Sequence, residues 1–123
     1  AWEPPCPGYA NHPERQAFLA AVTAALDEAK VDALLYPSWT AVPASLSGAD
    51  AEYTGDNSQR LAPGTSMPAI TVPMGFTRAG RLPAGIQWLG RRWDDHRLLQ
   101  LAYAYEQATG HRRPPPAMPP LAP

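Results

Sequence analysis

The sequence has little cysteine and lysine, and it contains no long apolar run. The single cysteine, Cys6, excludes a disulfide within the chain, which fits a reducing compartment, so we expect a cytoplasmic location. No apolar stretch approaches the roughly 18 residues of a membrane-spanning helix. The formal net charge of −1 provides no basic surface for nucleic acid or anionic lipid. We therefore expect neither a membrane nor a nucleic-acid partner.

The small number of histidine and cysteine residues also argues against a metal or cofactor site. The three histidines, His12, His96 and His111, share no ligand spacing, and one cysteine cannot make a C-x-x-C pair. We therefore predict no metal and no cofactor. The only lysine, Lys30, falls at the end of a predicted helix, where a cation is favoured as a surface charge.

The other candidates for catalysis have simpler structural explanations. Ser66 approaches a strand through a glycine-containing loop, but neither lysine nor histidine lies near it in sequence to activate it. Cys6 and His12 could form a thiol–imidazole pair, yet both lie in a proline-rich arm. Asp94 and Asp95 are explained by capping of the helix that follows them. The loop serines Ser45, Ser47 and Ser58 are explained by turn formation rather than by catalysis. We predict no catalytic residue in this chain.

Sixteen prolines, many of them near the two ends, divide the chain. Residues 1–10 are predicted to form an irregular arm, residues 11–113 an ordered α/β segment, and residues 114–123 a proline-rich tail in polyproline II or disordered conformation. The ordered segment is one domain or part of one, with a modest core.

Hydrophobic spacing predicts two amphipathic helices. The first begins with Pro13 in its first turn. The second follows Asp94 and is stopped by Gly110. Helical spacing predicts buried stripes at Phe18, Val22, Ala25, Leu26 and Ala29, and at Leu98, Leu101, Ala102, Tyr105 and Ala108.

Between the helices, the sequence predicts a strand, a long loop and a hairpin. The unbroken apolar run Ala33–Tyr36 indicates a strand buried on both faces. Residues 38–59 form a loop of a length that is often functional, and residues 60–65 a helical turn. Alternation at Ile70, Val72 and Met74 predicts the first hairpin strand, with Ile86 and Trp88 on its partner.

This order predicts the α/β class, with a mixed sheet formed by a strand and a hairpin. Two amphipathic helices can cover one face of that sheet. The apolar Leu34–Tyr36 run suggests that the other face requires a cover from outside the chain.

Several short motifs, in order, resemble the C-terminal portion of amidase signature hydrolases. The central ones are P-A-I-T-V-P-M-G-F at Pro68–Phe76 and L-P-A-G-I-Q-W-L-G at Leu82–Gly90. Ser66 departs from the pattern, because the family usually has glycine there. Further matching stretches are Asp32–Pro37, Asp56–Asn57, Arg60–Leu61 and Asp94–Gln107.

The resemblance implies an amide hydrolase that uses a serine nucleophile, a second serine and a lysine base. Those residues lie in glycine- and serine-rich motifs upstream of the matching portion, and this sequence contains neither motif. The chain would therefore complete the sheet and substrate pocket of an amidase without being catalytic alone. Its implied partners are the catalytic N-terminal amidase segment or chain and a small-molecule amide substrate.

Trp39, Met67 and Trp88 are our candidates for the substrate pocket, because they flank strand ends and the long loop. Ordinary core packing is the alternative for each. A non-catalytic binding or assembly module that keeps the amidase-like substructure is the alternative function, and homo-oligomerisation remains open.

Overall fold

The structure, a computed structural model, describes residues 8–54, 60–77, 81–115 and 117–118. The predicted order of helix, strand, loop, hairpin and helix is confirmed. Cys6, Asp56, Asn57 and Ser58 lie outside the described residues. After a 3-10 turn at Tyr9–Asn11, the elements are α1 (Pro13–Ala29), β1 (Ala33–Pro37), α2 (Ala49–Glu52), α3 (Leu61–Thr65), β2 (Ala69–Thr77), β3 (Leu82–Gly90) and α4 (Asp95–Thr109).

The three strands form one sheet in the order β1-β3-β2, in which both pairings are antiparallel. Leu34 pairs with Leu89, and Trp88 pairs with Leu35 on one side and Ile70 on the other. The α/β class, with a strand, a hairpin and two covering helices, is confirmed. A mixed sheet also requires a parallel pairing, and the described strands contain none.

Helix α1 covers one face of the sheet. Leu26 and Leu89 are fully buried, and they form the core cluster with Val22 and Met67. The buried line of α1 therefore runs through Leu19, Val22 and Leu26, which are spaced three and four residues apart. Three members of the predicted stripe differ from this line, because Phe18, Ala25 and Ala29 are exposed.

Helix α4 covers the opposite face, so the expectation that both helices share one face is wrong. The Trp88 ring packs edge-on against Tyr105 of α4, with ring centroids 6.0 Å apart. Successive strand residues point to opposite faces, which separates Trp88 from the α1-facing Leu89. Leu98 of α4 lies so close to Gly90 that an added Cβ would come within 2.7 Å of its Cγ. On β1, Leu35 remains 48% exposed.

Two ion pairs join the end of α1 and the turn after it to the start of α4 and the loop before it. Arg91 bridges Asp27 at 2.6 Å, and Arg97 bridges Asp32 at 2.7 Å. Asp94 occupies the N-cap position of α4, but its side chain forms no capping hydrogen bond, contrary to expectation. In the stretches that the structure describes, no helix combines the length and apolarity needed to cross a membrane.

Candidate functional site: an apolar cleft beside the hairpin

An apolar cleft of about 640 Å³ lies between the loop after β1 and the hairpin. We call it the Trp39 cleft. No charged side chain is among its described lining residues, and its few polar groups are neutral. The lining consists of Pro37, Trp39, Thr40, Ala41, Val42, Pro43, Ala44, Tyr53, Met74, Thr77, Pro83, Ala84 and Gly85.

A β-bulge in β2 supplies Met74 to the cleft. Pro73 pairs with Gly85 and Gly75 pairs with Ala84, so Met74 has no partner on β3. Pro73 lacks the N–H that a regular ladder would use, and Gly75 adopts a φ of 128° that disfavours other residues. A bulge re-aims the side chains around it. The Pro-Met-Gly sequence therefore builds one wall of the cleft, which the sequence analysis did not anticipate.

The opposite wall, residues 41–44, is held by a hydrogen-bonded clamp at its end. The Ser45 backbone N–H and hydroxyl both donate to the Glu52 carboxylate, at 2.8 and 2.9 Å. The Gly48 N–H donates to the Ser45 hydroxyl oxygen at 3.1 Å. Because Glu52 ends α2, this short helix fixes where the wall segment stops. Glu52 itself lines a second hollow, together with residues 41–45 and Thr54.

A row of neutral polar side chains crosses the sheet next to the cleft. Ser38 and Gln87 both donate to the Thr71 hydroxyl oxygen, at 3.3 and 3.2 Å. The Ser38 N–H also donates to the Gly85 carbonyl at 2.9 Å, which extends the β1–β3 ladder beyond Pro37. Gly85 is required at the crossing, because an added Cβ would lie 2.7 Å from the Thr71 methyl carbon. Sequence reasoning missed this row, since its three residues are far apart in the chain.

The structure separates the three predicted pocket residues. Trp39 lines the cleft and is half exposed. Met67 is only 4% exposed and belongs to the core cluster with Val22, Leu26 and Leu89. Trp88 lies under α4, and its buried indole N–H has no hydrogen-bond partner among the described residues. Trp39 is thus joined by Met74 and Tyr53 rather than by Met67 and Trp88.

The described lining of the cleft includes no serine, histidine, lysine or carboxylate. Ser66 lies elsewhere, at the end of α3, where its hydroxyl accepts a hydrogen bond from Arg15 Nη2 at 3.1 Å. A guanidinium remains protonated and cannot remove the serine proton. In the parts of the chain that are described, no group of three or more histidine, cysteine or acidic residues is arranged to hold a metal.

The shifted pKa values lie outside the Trp39 cleft. A hydrogen bond from Arg97, with its positive charge, lowers the pKa of Asp32 below its ordinary value of 3.8. Burial raises the pKa of Tyr36. The Tyr36 hydroxyl is enclosed and has no hydrogen-bond partner within the described ranges. The cleft therefore offers shape and apolar contact, and no poised acid or base among its described lining.

Comparisons with known proteins relate the chain to amidases. AmiD of Mycobacterium tuberculosis, a protein named as an amidase, is 39% identical over 94 residues, which are 70% of this chain and 20% of that protein. A glutamyl-tRNA(Gln) amidotransferase chain from Myxococcus xanthus is 42% identical over 83 residues, or 63% of this chain and 17% of the relative. No family model matches the chain.

A solved structure agrees with the sequence relatives. The peptide amidase from Stenotrophomonas maltophilia superposes with a TM-score of 0.64 and 34% identity, covering 82% of this chain and 20% of the amidase. The chain thus spans about a fifth of the length of such relatives. The motifs, the fold and these similarities agree, and the chain corresponds to a C-terminal part of proteins similar to amidase signature hydrolases.

Proposed function

We propose that this chain completes the sheet of an amide hydrolase and forms one wall of its substrate pocket at the Trp39 cleft. The single observation that carries the proposal is the cleft itself, an apolar hollow whose described lining residues are all uncharged, in a segment similar to amidases. Ligand pockets in proteins are commonly apolar clefts of about 300–1,000 Å³ with a few polar groups.

The nucleophile and base are assigned to polypeptide outside this chain. The similarity covers about 20% of the relatives' length, so four fifths of an amidase has no counterpart here. On the family resemblance, that larger part carries the two serines and the lysine. The serine oxygen would attack the amide carbon, the amine would leave with a proton, and water would then release the acid from the acyl-enzyme.

The surface of the chain supports docking against that larger part. Leu35 on β1 is half exposed although its neighbours Leu34 and Tyr36 pack against the core. Among the described strands, β1 pairs only with β3, which leaves its other edge without a strand. An unpaired edge beside an apolar side chain is a site for further strand pairing. The catalytic segment of the amidase is the partner that we propose there.

A chimera tests the proposal. The segment of the Stenotrophomonas peptide amidase that matches this chain is replaced by residues 13–113, and amide hydrolysis is measured. The peptide amidase without that segment and the 123-residue chain alone serve as controls, and we expect turnover from neither. Turnover by the chimera above both controls supports the proposal.

A well-folded chimera without turnover would contradict the proposed function. Should the 123-residue chain then prove to be a stable homodimer, a binding or assembly module would be the better interpretation. Turnover by the chain alone would overturn the assignment of the catalytic groups to other polypeptide, and substitution of Ser66 and Cys6 would then locate the nucleophile.

A further inference from the structure

We infer that the Trp39 cleft receives a bulky, uncharged apolar group of the amide substrate, preferably an aromatic one, and rejects charged groups. The inference deepens the proposed function and rests on it. It concerns which amides the site accepts, and three properties of the cleft support it: its size, the uncharged character of its described lining and its exposed aromatic surface.

The size of the cleft fits a group larger than one small ring. An apolar cavity of about 150 Å³ is enough to bind benzene. The Trp39 cleft has about 640 Å³, although part of that volume opens to solvent. An aromatic side chain with its neighbouring amide groups fits within such a space and occupies much more of it than a short aliphatic amide would.

The absence of charge predicts selection against ionised groups. The described lining holds no arginine, lysine, histidine or carboxylate that could pair with a charge on the substrate. The nearest acidic group by sequence, Glu52, is held by Ser45 and lines the neighbouring hollow instead. A charged group entering the cleft would lose hydration without gaining a partner, which is unfavourable.

The exposed aromatic faces predict a preference for rings. Trp39 and Tyr53 are 50% and 59% exposed, so both offer surface to a ligand. Met74 lies in the same lining and carries a polarisable sulfur that packs well against aromatic edges. Aromatic pairs gain stability beyond area burial when they stack offset or edge to face.

Backbone amide NMR on the full 123-residue chain tests the inference without requiring turnover. N-acetyl-phenylalaninamide is the neutral probe, and N-acetyl-4-carboxyphenylalaninamide is its charged match. We expect the neutral probe to shift the N–H signals of Thr40, Val42 and Ala84. The Kd of the neutral probe should be lower than that of the charged probe by about tenfold or more, because an unpaired buried charge costs at least the corresponding 1.4 kcal/mol.

Two tryptophan variants provide a matched control. Trp39→Ala removes an aromatic wall of the cleft, whereas Trp93→Ala makes the same change at a tryptophan that is 87% exposed and outside the described lining. We expect Trp39→Ala to weaken the neutral probe about fivefold or more, the loss of an aromatic contact, and Trp93→Ala to leave binding unchanged. Ala84→Leu, which fills the cleft, should also weaken binding, and the unfolding midpoint confirms that each variant is folded.

Three results would overturn the inference: no shifts at the cleft residues, equal binding of neutral and charged probes, or equal effects of the two tryptophan variants. The binding experiment and the turnover experiment test the two hypotheses independently. Binding at the cleft together with an inactive chimera contradicts the proposed function, whereas an active chimera without binding at the cleft contradicts the inference alone.

Discussion

The Glu52 carboxylate accepts hydrogen bonds from both the backbone N–H and the hydroxyl of Ser45, so one side chain holds the end of the wall segment of the Trp39 cleft. A Cβ at Gly48 would lie 2.6 Å from Glu52 Oε1, which shows how closely the carboxylate approaches the backbone there. Loops that carry binding residues need such local anchors, because their ends are not fixed by a sheet ladder.

We expect Glu52→Ala to loosen this wall without unfolding the protein. The two hydrogen bonds are exposed, so their net contribution to the free energy of unfolding should be about 1 kcal/mol or less. Amide hydrogen exchange at Ser45 and Gly48 should accelerate, and the neutral probe should bind more weakly. Asp50→Ala removes a carboxylate from the same short helix and is the control. Equal exchange rates in both variants would show that the Glu52 clamp does not hold the wall.

A second prediction concerns Gly85, where the sheet leaves no space for a side chain. Gly85→Ala should destabilise the protein by about 1–3 kcal/mol, the usual cost of overpacking, because the new Cβ would meet the Thr71 methyl group at 2.7 Å and the Ser38 hydroxyl at 3.0 Å. Denaturant unfolding measures the change.

The Gly85 prediction has a specific rescue. Thr71→Ser removes the crowding methyl group and keeps the hydroxyl that Ser38 and Gln87 donate to. The double variant should therefore recover part of the stability that Gly85→Ala loses. Strict additivity of the two single effects would exclude the predicted contact between position 85 and the Thr71 methyl group.

Truncation to alanine should reduce stability much more at Met67, which precedes β2, than at Met74, which lies at the bulge within β2. Met67 is in the core beside Leu26 and Leu89, so Met67→Ala should cost about 2–5 kcal/mol. Met74 lines the open cleft at the bulge, so Met74→Ala should cost only about 1 kcal/mol. Urea denaturation gives both values, and probe binding should be impaired in Met74→Ala. Equal losses of stability would contradict the different positions of these side chains.

The positions of Trp39, Met67 and Trp88 in the structure show which features the sequence could predict and which it could not. Strand alternation and helical spacing predicted the hairpin and both long helices, because these patterns are local. Alternation also separates Trp88 from Leu89, but it does not tell which helix covers which face. Which helix covers which face depends on packing between distant elements. In the structure, Trp88 packs under α4 and Leu89 under α1.

The cleft was harder to predict for a related reason. Trp39 follows a strand end directly, so its position near a site could be expected. Met74 reaches the cleft through a bulge, and the spacing Pro73–Gly75 was the available signal for it. Met67 follows Ser66, whose left-handed backbone at φ 57° turns the chain into β2. Sequence alone does not fix the direction in which a side chain leaves such a turn.

The ion pair of Asp32 and Arg97 predicts a pH-dependent contribution to stability. Arg97 Nη2 donates to the Asp32 carboxylate at 2.7 Å, and the pKa of Asp32 in the folded protein is lowered from 3.8. A carboxyl group with a lowered folded-state pKa binds protons more weakly when folded. Its stabilising contribution is therefore fully present above the unfolded-state pKa and is lost as the pH falls through the folded-state pKa.

We therefore expect Asp32→Asn to lower the urea midpoint at pH 7 and to have little effect once the pH is below the folded-state pKa of Asp32. Because both side chains are exposed, the difference at pH 7 should be small and should shrink in about 1 M salt, where charges are screened over roughly 3 Å. Arg97→Gln is the reciprocal control and should show the same pH window. In the Arg97→Gln background, Asp32→Asn should have little further effect at pH 7. A midpoint difference between the wild-type protein and Asp32→Asn that does not change with pH or salt would rule out this ion pair as its origin.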